Sequence, residues 1–429
     1  MAKKSKPLSV SASLREPEKQ DAKPSLVPKL RFPEFLDAEG WDADGLGKVA
    51  DFVNEKIPVE RVALENYVST ENILADYGGV AIASKLPTTG SVTRYRPNDT
   101  LVSNIRPYLK KVWVADKEGG ASNDVIVIRA KQRLLPQYFS CLLKNDAFID
   151  YVMTGAKGVK MPRGDIGSMK AYPTLYPSIP EQQKIAECLS SVDELMAAQA
   201  RKVDALKTHK KGLMQQLFPR EGETQPRLRF PEFQDAGDWE EKTIGQLGDV
   251  VTGSTPSTAR REYYGGDRMF VSPADISDGR FIEKTKTTLT SLGFEETRPI
   301  KANSILFVCI GSTIGKIAQN RRECATNQQI NSVVPNSNNA HGFVYYALSG
   351  MANEIANLAG RQAVPLVNKS LFSSVGLLVP KPPEQRRIAD CLSSLDALIT
   401  AETQKLAALK THKKALMQQL FPSPEDVQA

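Results

Sequence analysis

The chain is written twice. Residues 177–219 read PSIPEQQKIAECLSSVDELMAAQARKVDALKTHKKGLMQQLFP, and residues 380–422 read PKPPEQRRIADCLSSLDALITAETQKLAALKTHKKALMQQLFP, with 28 of 43 positions identical. A shorter pair precedes them, KLRFPEF at 29–35 and RLRFPEF at 227–233. The stretches between the repeated ends differ by five residues in length and share little identity. Self-similarity of this kind constrains architecture before any local reading. Whatever fold forms must build the same ends twice around two dissimilar middles.

The repeated ends have helical grammar. Pro180 and Pro383 sit at the start, where a missing N–H costs nothing, with Glu181 and Glu384 in the first turn, and Pro219 and Pro422 close them. Apolar residues recur at alternating spacings of four and three: Ile185, Leu189, Val192, Met196, Val203, Leu206, Leu213 and Leu217, then Ile388, Leu392, Leu395, Ile399, Leu406, Leu409, Leu416 and Leu420. A 3.5-residue period sustained over five heptads predicts a coiled-coil seam. Polar residues interrupt it at matched places, Gln199 with Glu402 and Lys210 with Lys413. Each helix of roughly 38 residues would be about 57 Å long. A parallel pair needs a long return, whereas the linker 220–226 reaches at most about 25 Å. An antiparallel pair is therefore expected, with the middles thrown to opposite ends and Leu30–Phe35 beside Phe421. The outer helix faces, with Lys207, His209, Lys210, Lys410, His412 and Lys413, are candidate docking surfaces for partners.

The middles predict strand-rich domains. Short β-favouring runs at Gly79–Ala83, Asn98–Ile105, Lys111–Ala115 and Asn123–Arg129 correspond in outline to Met269–Val271, Ser304–Val308, Lys316–Gln319 and Gln329–Val334. Asp99–Lys111 aligns with Asn303–Lys316, and Ser122–Ile128 with Thr326–Val333. The fold class is α+β: a tail over 1–27, a domain over 28–176, a helix over 177–219, a linker and second domain over 220–379, a second helix over 380–422 and a tail over 423–429.

Composition narrows function. No apolar run approaches the roughly 20 residues that span a bilayer, and the beginning lacks an apolar leader. Five cysteines without a CxxC pair argue against a disulfide framework or zinc cage and fit a cytoplasmic setting. Of the net charge of +7, the first 29 residues hold +4. Basic residues then concentrate at 85–111, with six against one acid, and at 298–322, with five against none.

The paired LRFPEF segments, the paired PEQ…I…CLSS…D helix starts and the paired LKTHKK…LMQQLF ends resemble the DNA-sequence specificity subunit of a type I restriction–modification system. STENILADYGG and LVSNIRPYLKK resemble one group of that family's target-recognition domains, and VTGSTPS, IGSTIGK and TNQQIN another. The resemblance implies two recognition domains, each binding one half of a bipartite site on double-stranded DNA, and two helices that fix the gap. It also implies docking of two methyltransferase subunits, which use S-adenosylmethionine, and through them ATP- and Mg-dependent restriction/translocase subunits. No cofactor or metal is expected in this chain itself. A non-catalytic adaptor that holds two proteins without reading DNA is the alternative.

Enzymatic readings fare poorly. Gly311–Lys316 (GSTIGK) is one residue short of a P-loop, and Ile317 replaces its Ser/Thr. No methyltransferase tetrapeptide or nuclease carboxylate motif is present, and His341 has no ligand-type neighbour. Lys and Arg supply phosphate contacts, while Arg, Asn, Gln, Ser and Thr read base edges. The first-domain candidates are Lys85, Thr88, Thr89, Ser91, Arg94 and Arg96, then Asn104, Arg106, Tyr108 and Lys110, then Lys157, Lys160 and Arg163. The second-domain candidates are Thr255, Ser257, Arg260, Arg261 and Tyr263, then Ser312, Thr313 and Lys316, then Asn327, Gln328, Arg361 and Gln362. Arg106 and Arg261 suit guanine, and Asn327 or Gln328 suits adenine. Asn123 and Asn327 are equally plausible as internal turn partners.

Overall fold

The computed structural model describes residues 26–277, 279–360 and 364–422. The expected tails at 1–27 and 423–429, apart from residues 26 and 27, lie outside the described residues. The chain forms two compact units: one holds the residues up to Met196 together with those from Ala408 onward, and the other holds Ala197–Ala407.

In the first unit the main sheet runs in the order Ala50–Phe52, Val125–Ala130, Thr100–Ser103, Val112–Val114. Both faces are covered, and the alternation is legible in the side chains. Val102, Ile126 and Ile128 enter a core with Tyr138, Phe139 and Phe148 from the helices Pro136–Leu143 and Asp146–Thr154. Leu101, Val125 and Val127 enter a second core with Tyr95 and Ala121 from a four-stranded sheet of Lys56–Pro58, Ser91–Tyr95, Gly119–Ala121 and Tyr67–Val68. Successive strand residues point to opposite faces, so one four-residue strand serves two cores.

The second unit repeats this frame. Its main sheet runs Gly248–Thr252, Ile330–Pro335, Ile305–Val308, Ile317–Asn320, Phe281–Ile282. Ile305 and Phe307 face the helical core, while Leu306 and Val308 face the other side. A smaller sheet joins Thr287–Leu289, Tyr264–Val271 and Ala325–Thr326. The strand expectations hold to within a few residues with one exception. Gly79–Ala83 contributes only an isolated bridge, Ile73 to Val80, and Ile82 is exposed. Asp76 and Tyr77, both at positive φ, turn this stretch into a loop.

The repeated motifs now have physical roles. Glu181 is buried at the start of the first long helix (Ile179–Leu217) and receives a bidentate pair from Arg31 (Nε 2.8 Å, NH2 2.7 Å) and a bond from Trp41 Nε1 (3.3 Å). Arg31 also donates to the carbonyls of Ala38 and Glu39 (both 2.8 Å). Glu384, in the second long helix (Pro382–Leu420), repeats this with Arg229 (2.8 Å twice) and Trp239 (3.4 Å). Next along each helix, Gln182 accepts from the Leu135 N–H (2.9 Å) and donates to the Arg133 and Pro177 carbonyls. Gln385 accepts from the Ala340 N–H and donates to the Pro380 carbonyl (both 2.9 Å).

Inside each unit a length of one long helix runs antiparallel to a length of the other. In the first, Ile185 and Leu189 share a core with Leu416 and Leu420, and Lys413 reaches Asp193 at 2.6 Å. In the second, Leu213 and Leu217 meet Ile388 and Leu392, Lys210 reaches Asp396 at 2.5 Å, and Gln199 Nε2 donates to Glu402 at 2.7 Å. Gln199 and Glu402 are counterparts in the repeat. Every expected seam residue is buried or half-buried. One expectation is corrected: Lys210 and Lys413 do not belong to an outer face, because each is drawn across the pair to an aspartate. Lys207, His209, Lys410 and His412 are exposed. The chain also closes as anticipated. The Leu30 N–H donates to the Gln419 carbonyl (2.9 Å), and Phe421 meets Trp41 edge-on, as Leu228 meets Gln216 (2.9 Å) and Phe218 meets Trp239. Among the described residues no helix is long and apolar enough to cross a membrane.

Candidate nucleic-acid interface

Three loops of the first unit meet beyond the end of the strand Thr100–Ser103. The Asp76 and Tyr77 N–H groups donate to the carbonyls of Leu109 and Lys110 (both 3.0 Å), and the Arg106 N–H donates to the Pro162 carbonyl (2.8 Å). Four non-glycine residues here take left-handed backbone: Asp76, Tyr77, Arg106 and Lys110, with φ between 51° and 60°. Such conformations cost of order 1–3 kcal/mol each and persist only where the surroundings impose them, most often at functional sites. Reciprocal backbone bonds between Lys157 and Arg163 (2.9 Å each) close the third loop.

These loops sort the candidates. Arg106, Lys157 and Lys160 are exposed, Tyr108 is half exposed, and Arg163 is exposed while paired to Asp124 at 2.7 Å. Lys110 is tied to Asp146 (2.7 Å). Asn104 is buried, its main chain bonded to Asp124 and Gly164. On the other candidate loop Lys85, Thr88, Thr89 and Ser91 are exposed. Arg94 pairs with Glu55 and Glu118 (both 3.0 Å) and Arg96 with Glu55 (3.1 Å). The carboxylates of Glu118 and Glu55 push the Arg94 pKa up, and Arg94 holds the Glu55 carboxyl below its usual range. Asn123 serves an internal contact, accepting from Lys56 at 2.8 Å.

In the second unit the corresponding loop is the tight turn Gly311–Lys316, with Gly311 and Gly315 at positive φ. Ser312 and Lys316 are exposed and Thr313 is half-buried. Lys316 Nζ lies 3.2 Å from the Ile276 carbonyl, an internal anchor in place of a phosphate cradle. The Gly311 N–H donates to the Pro365 carbonyl (3.0 Å), as Arg106 does to Pro162. Thr255 donates to Gln328 Oε1 (2.6 Å), both exposed. Asn327 closes a turn on Gln329. Tyr263 is buried and accepts from Arg260 (2.8 Å), whereas Ser257 and Arg261 are exposed. Arg361 and Gln362 lie outside the described residues.

Two stretches, 39–208 and 236–411, match the family model described as the type I restriction modification DNA specificity domain, and together they cover well over half of the chain. The chain belongs to that family. Curated relatives include the HindI specificity subunit of Haemophilus influenzae, 33% identical over 147 residues that make up 33% of this chain and 32% of that one. The EcoR124I/EcoR124II specificity subunit of Escherichia coli is 28% identical over 207 residues, 44% of this chain and 50% of the relative. The chain thus spans about a third to a half of the length of the curated relatives it matches. Among solved structures, a type I restriction–modification S subunit from M. genitalium superposes with a TM-score of 0.61 at 17% identity, over 92% of this chain and 99% of that one. A structure from work on assembly and conformational transition of a type I system gives 0.57 at 18% identity, over 90% and 98%. At these identities the likeness shows the fold.

Within this specificity-domain frame, several residues that shape the surface escaped sequence reasoning. Glu55 neutralises two candidate arginines, yet it stands 39 and 41 residues from them. Asp76 and Tyr77 buttress the Arg106 loop, and the motif STENILADYGG marked the stretch without indicating its role. Val159 and Met161 are exposed beside Lys157 and Lys160; an apolar residue in a basic loop was the signal available.

Proposed function

We propose that this chain is the non-catalytic DNA-recognition subunit of a type I restriction–modification complex. Each unit reads one half of a bipartite duplex target, and the paired helices act as the spacer that sets the gap. The helices also dock two methyltransferase subunits, which hold S-adenosylmethionine. Restriction/translocase subunits, which use ATP and Mg, join through them. The observation that carries this reading is one frame used twice with different exposed loops. The sheet order, the Arg–Glu–Trp cluster and the glutamine socket recur, while Arg106–Lys110 and Gly311–Lys316 present dissimilar surfaces. A scaffold holding loops rigidly while their side chains vary is what sequence readers require. In the first domain Arg106, Lys157, Lys160 and Arg163 are the proposed contacts, with Lys85, Thr88, Thr89 and Ser91 beside them. In the second they are Thr255, Ser257, Arg261, Ser312, Thr313 and Gln328.

Methylation mapping of DNA from cells carrying the complex tests this. Exchange of residues 45–176 for another such domain changes one half of the methylated site and leaves the other. Lengthening both helices by one heptad widens the gap. Loss of both halves on exchange, or an unchanged gap, refutes the reading. Affinity that does not fall as salt rises refutes contact with phosphates.

A further inference from the structure

An apolar side chain in a basic loop has no business with phosphates. Val159 is 103% exposed and Met161 53%, on a loop closed by the reciprocal Lys157–Arg163 bonds and carrying Lys157, Lys160 and Arg163. Neither apolar side chain belongs to a core cluster. The second unit repeats the device. Met161-Pro162 and Val364-Pro365 stand 203 residues apart, the offset of the long repeat. Pro162 and Pro365 receive equivalent bonds from Arg106 and Gly311, and the bridges Ile105–Arg163 and Ile310–Leu366 are equivalent. Val364 is 61% exposed. Two diverged domains thus each hold an apolar residue in water at one place in the frame, beside the loop proposed to read bases. The cations around the first-unit loop favour an anionic partner over an apolar protein face, and the duplex of the proposed function is such a partner. The apolar group that a duplex offers at its base edges in the major groove is the C5-methyl of thymine, and that groove admits a two-stranded ribbon.

Resting on the proposed function above, we propose that Val159 and Met161 in the first unit, and Val364 in the second, are specificity-determining residues that read thymine methyl groups in their respective half-sites. Each half-site then contains at least one A·T pair beneath its loop. The probe is a duplex carrying the target mapped by methylation, bound by the chain assembled with its methyltransferase subunits, with single thymines replaced by deoxyuridine. Removing one methyl at the contacted thymine is expected to weaken wild-type binding about 3- to 10-fold. The same replacement has no effect on V159A/M161A, which already lacks the contact, while V364A abolishes the thymine dependence of the other half only. These positions are solvent-facing, so folding is little affected, and V159T, which keeps the shape, gives an intermediate response. The proposal is overturned if no thymine in either half responds, if the response of the first unit's half-site persists in V159A/M161A, or if that variant loses methyltransferase assembly in place of thymine dependence. Failure to distinguish the mapped target from a scrambled duplex in every variant, wild type included, sinks the recognition reading itself.

Discussion

Phe421 ends the second repeat, yet its ring lies in the core of the first unit, 6.2 Å from Trp41 and 5.5 Å from Tyr138. Phe421→Ala should therefore damage a domain whose other residues begin nearly 400 positions earlier. A buried phenylalanine cut to alanine costs about 3–5 kcal/mol. At 1.4 kcal/mol per decade, amide exchange that proceeds by opening of the unit accelerates roughly 100- to 5,000-fold. Hydrogen exchange with mass spectrometry reads this in the helix Pro136–Leu143, against His341–Gly350 as the internal control. The mirror substitution Phe218→Ala reverses the pattern, because Phe218 sits 5.5 Å from Phe343 and 6.1 Å from Trp239. Since Phe218 is only half-buried, its effect falls at the lower end. Unchanged exchange at Pro136–Leu143 in F421A, or equal acceleration in both helices, refutes the closure of each unit by the far helix end.

Glu181→Gln leaves the Arg31 guanidinium buried without its counter-charge and should cost the first unit about 3–5 kcal/mol by urea denaturation; a loss below 1 kcal/mol contradicts the anchoring role. Glu402, held down to a pKa of about 2 first by the Gln199 amide and then by Lys202 and Lys405, contributes stability above its unfolded pKa that is lost as pH falls toward 2. The stability gap between wild type and E402Q should thus shrink between about pH 5 and pH 2, and a pH-independent gap argues against the charge. Burial pushes the Cys309 and Cys324 thiols up to about 12, so neither should react with iodoacetamide at pH 8 until the second unit unfolds. Replacing both Lys157 and Lys160 by alanine should lower the slope of log affinity against log salt by about 2, if each cation neutralises one phosphate; an unchanged slope removes them from the interface.

Legibility in the sequence followed the range of the interactions. The helix seam was readable because Ile185 to Leu217 and Ile388 to Leu420 repeat one local period, and the antiparallel sense followed from the short linker. The strand Thr100–Ser103 was readable because it lies within a β-favouring run, Asn98–Ile105, set off by turn-forming residues. The roles of Arg94, Arg96 and Lys110 were not readable. Their charges are cancelled by Glu55 and Asp146, acids brought to them from 36 to 41 residues away by sheet pairing and helix packing. Gly79–Ala83 failed for a related reason: β propensity is realised only where a neighbouring strand offers an edge, and here two left-handed residues turn the chain away first. The Arg31–Glu181 pair lay between, since both members stand in visible repeats but their partnership spans 150 residues.

The same helix serves two unlike domains because its socket addresses backbone. Gln182 bonds the Leu135 N–H and the Arg133 and Pro177 carbonyls, and Gln385 the Ala340 N–H and the Pro380 carbonyl, with one longer bond to the Asn339 side chain (3.3 Å). Any residue supplies the carbonyls, and any residue except proline the N–H. Side chains are asked for little more than an aromatic ring against the tryptophan, Tyr138 in one unit and Phe343 in the other. One turn further on, the domains seat differently against the repeated aspartate. Tyr346 donates to Asp396 at 2.6 Å in the second unit, whereas in the first the corresponding residue is Cys141, and a cleft of about 310 Å³ opens beside Asp193. The helix tolerates that difference because Lys210 and Lys413 satisfy the two aspartates from the opposite helix in either case. A frame held mainly by backbone bonds, with charges met from the far helix, leaves the rest of each unit free to differ.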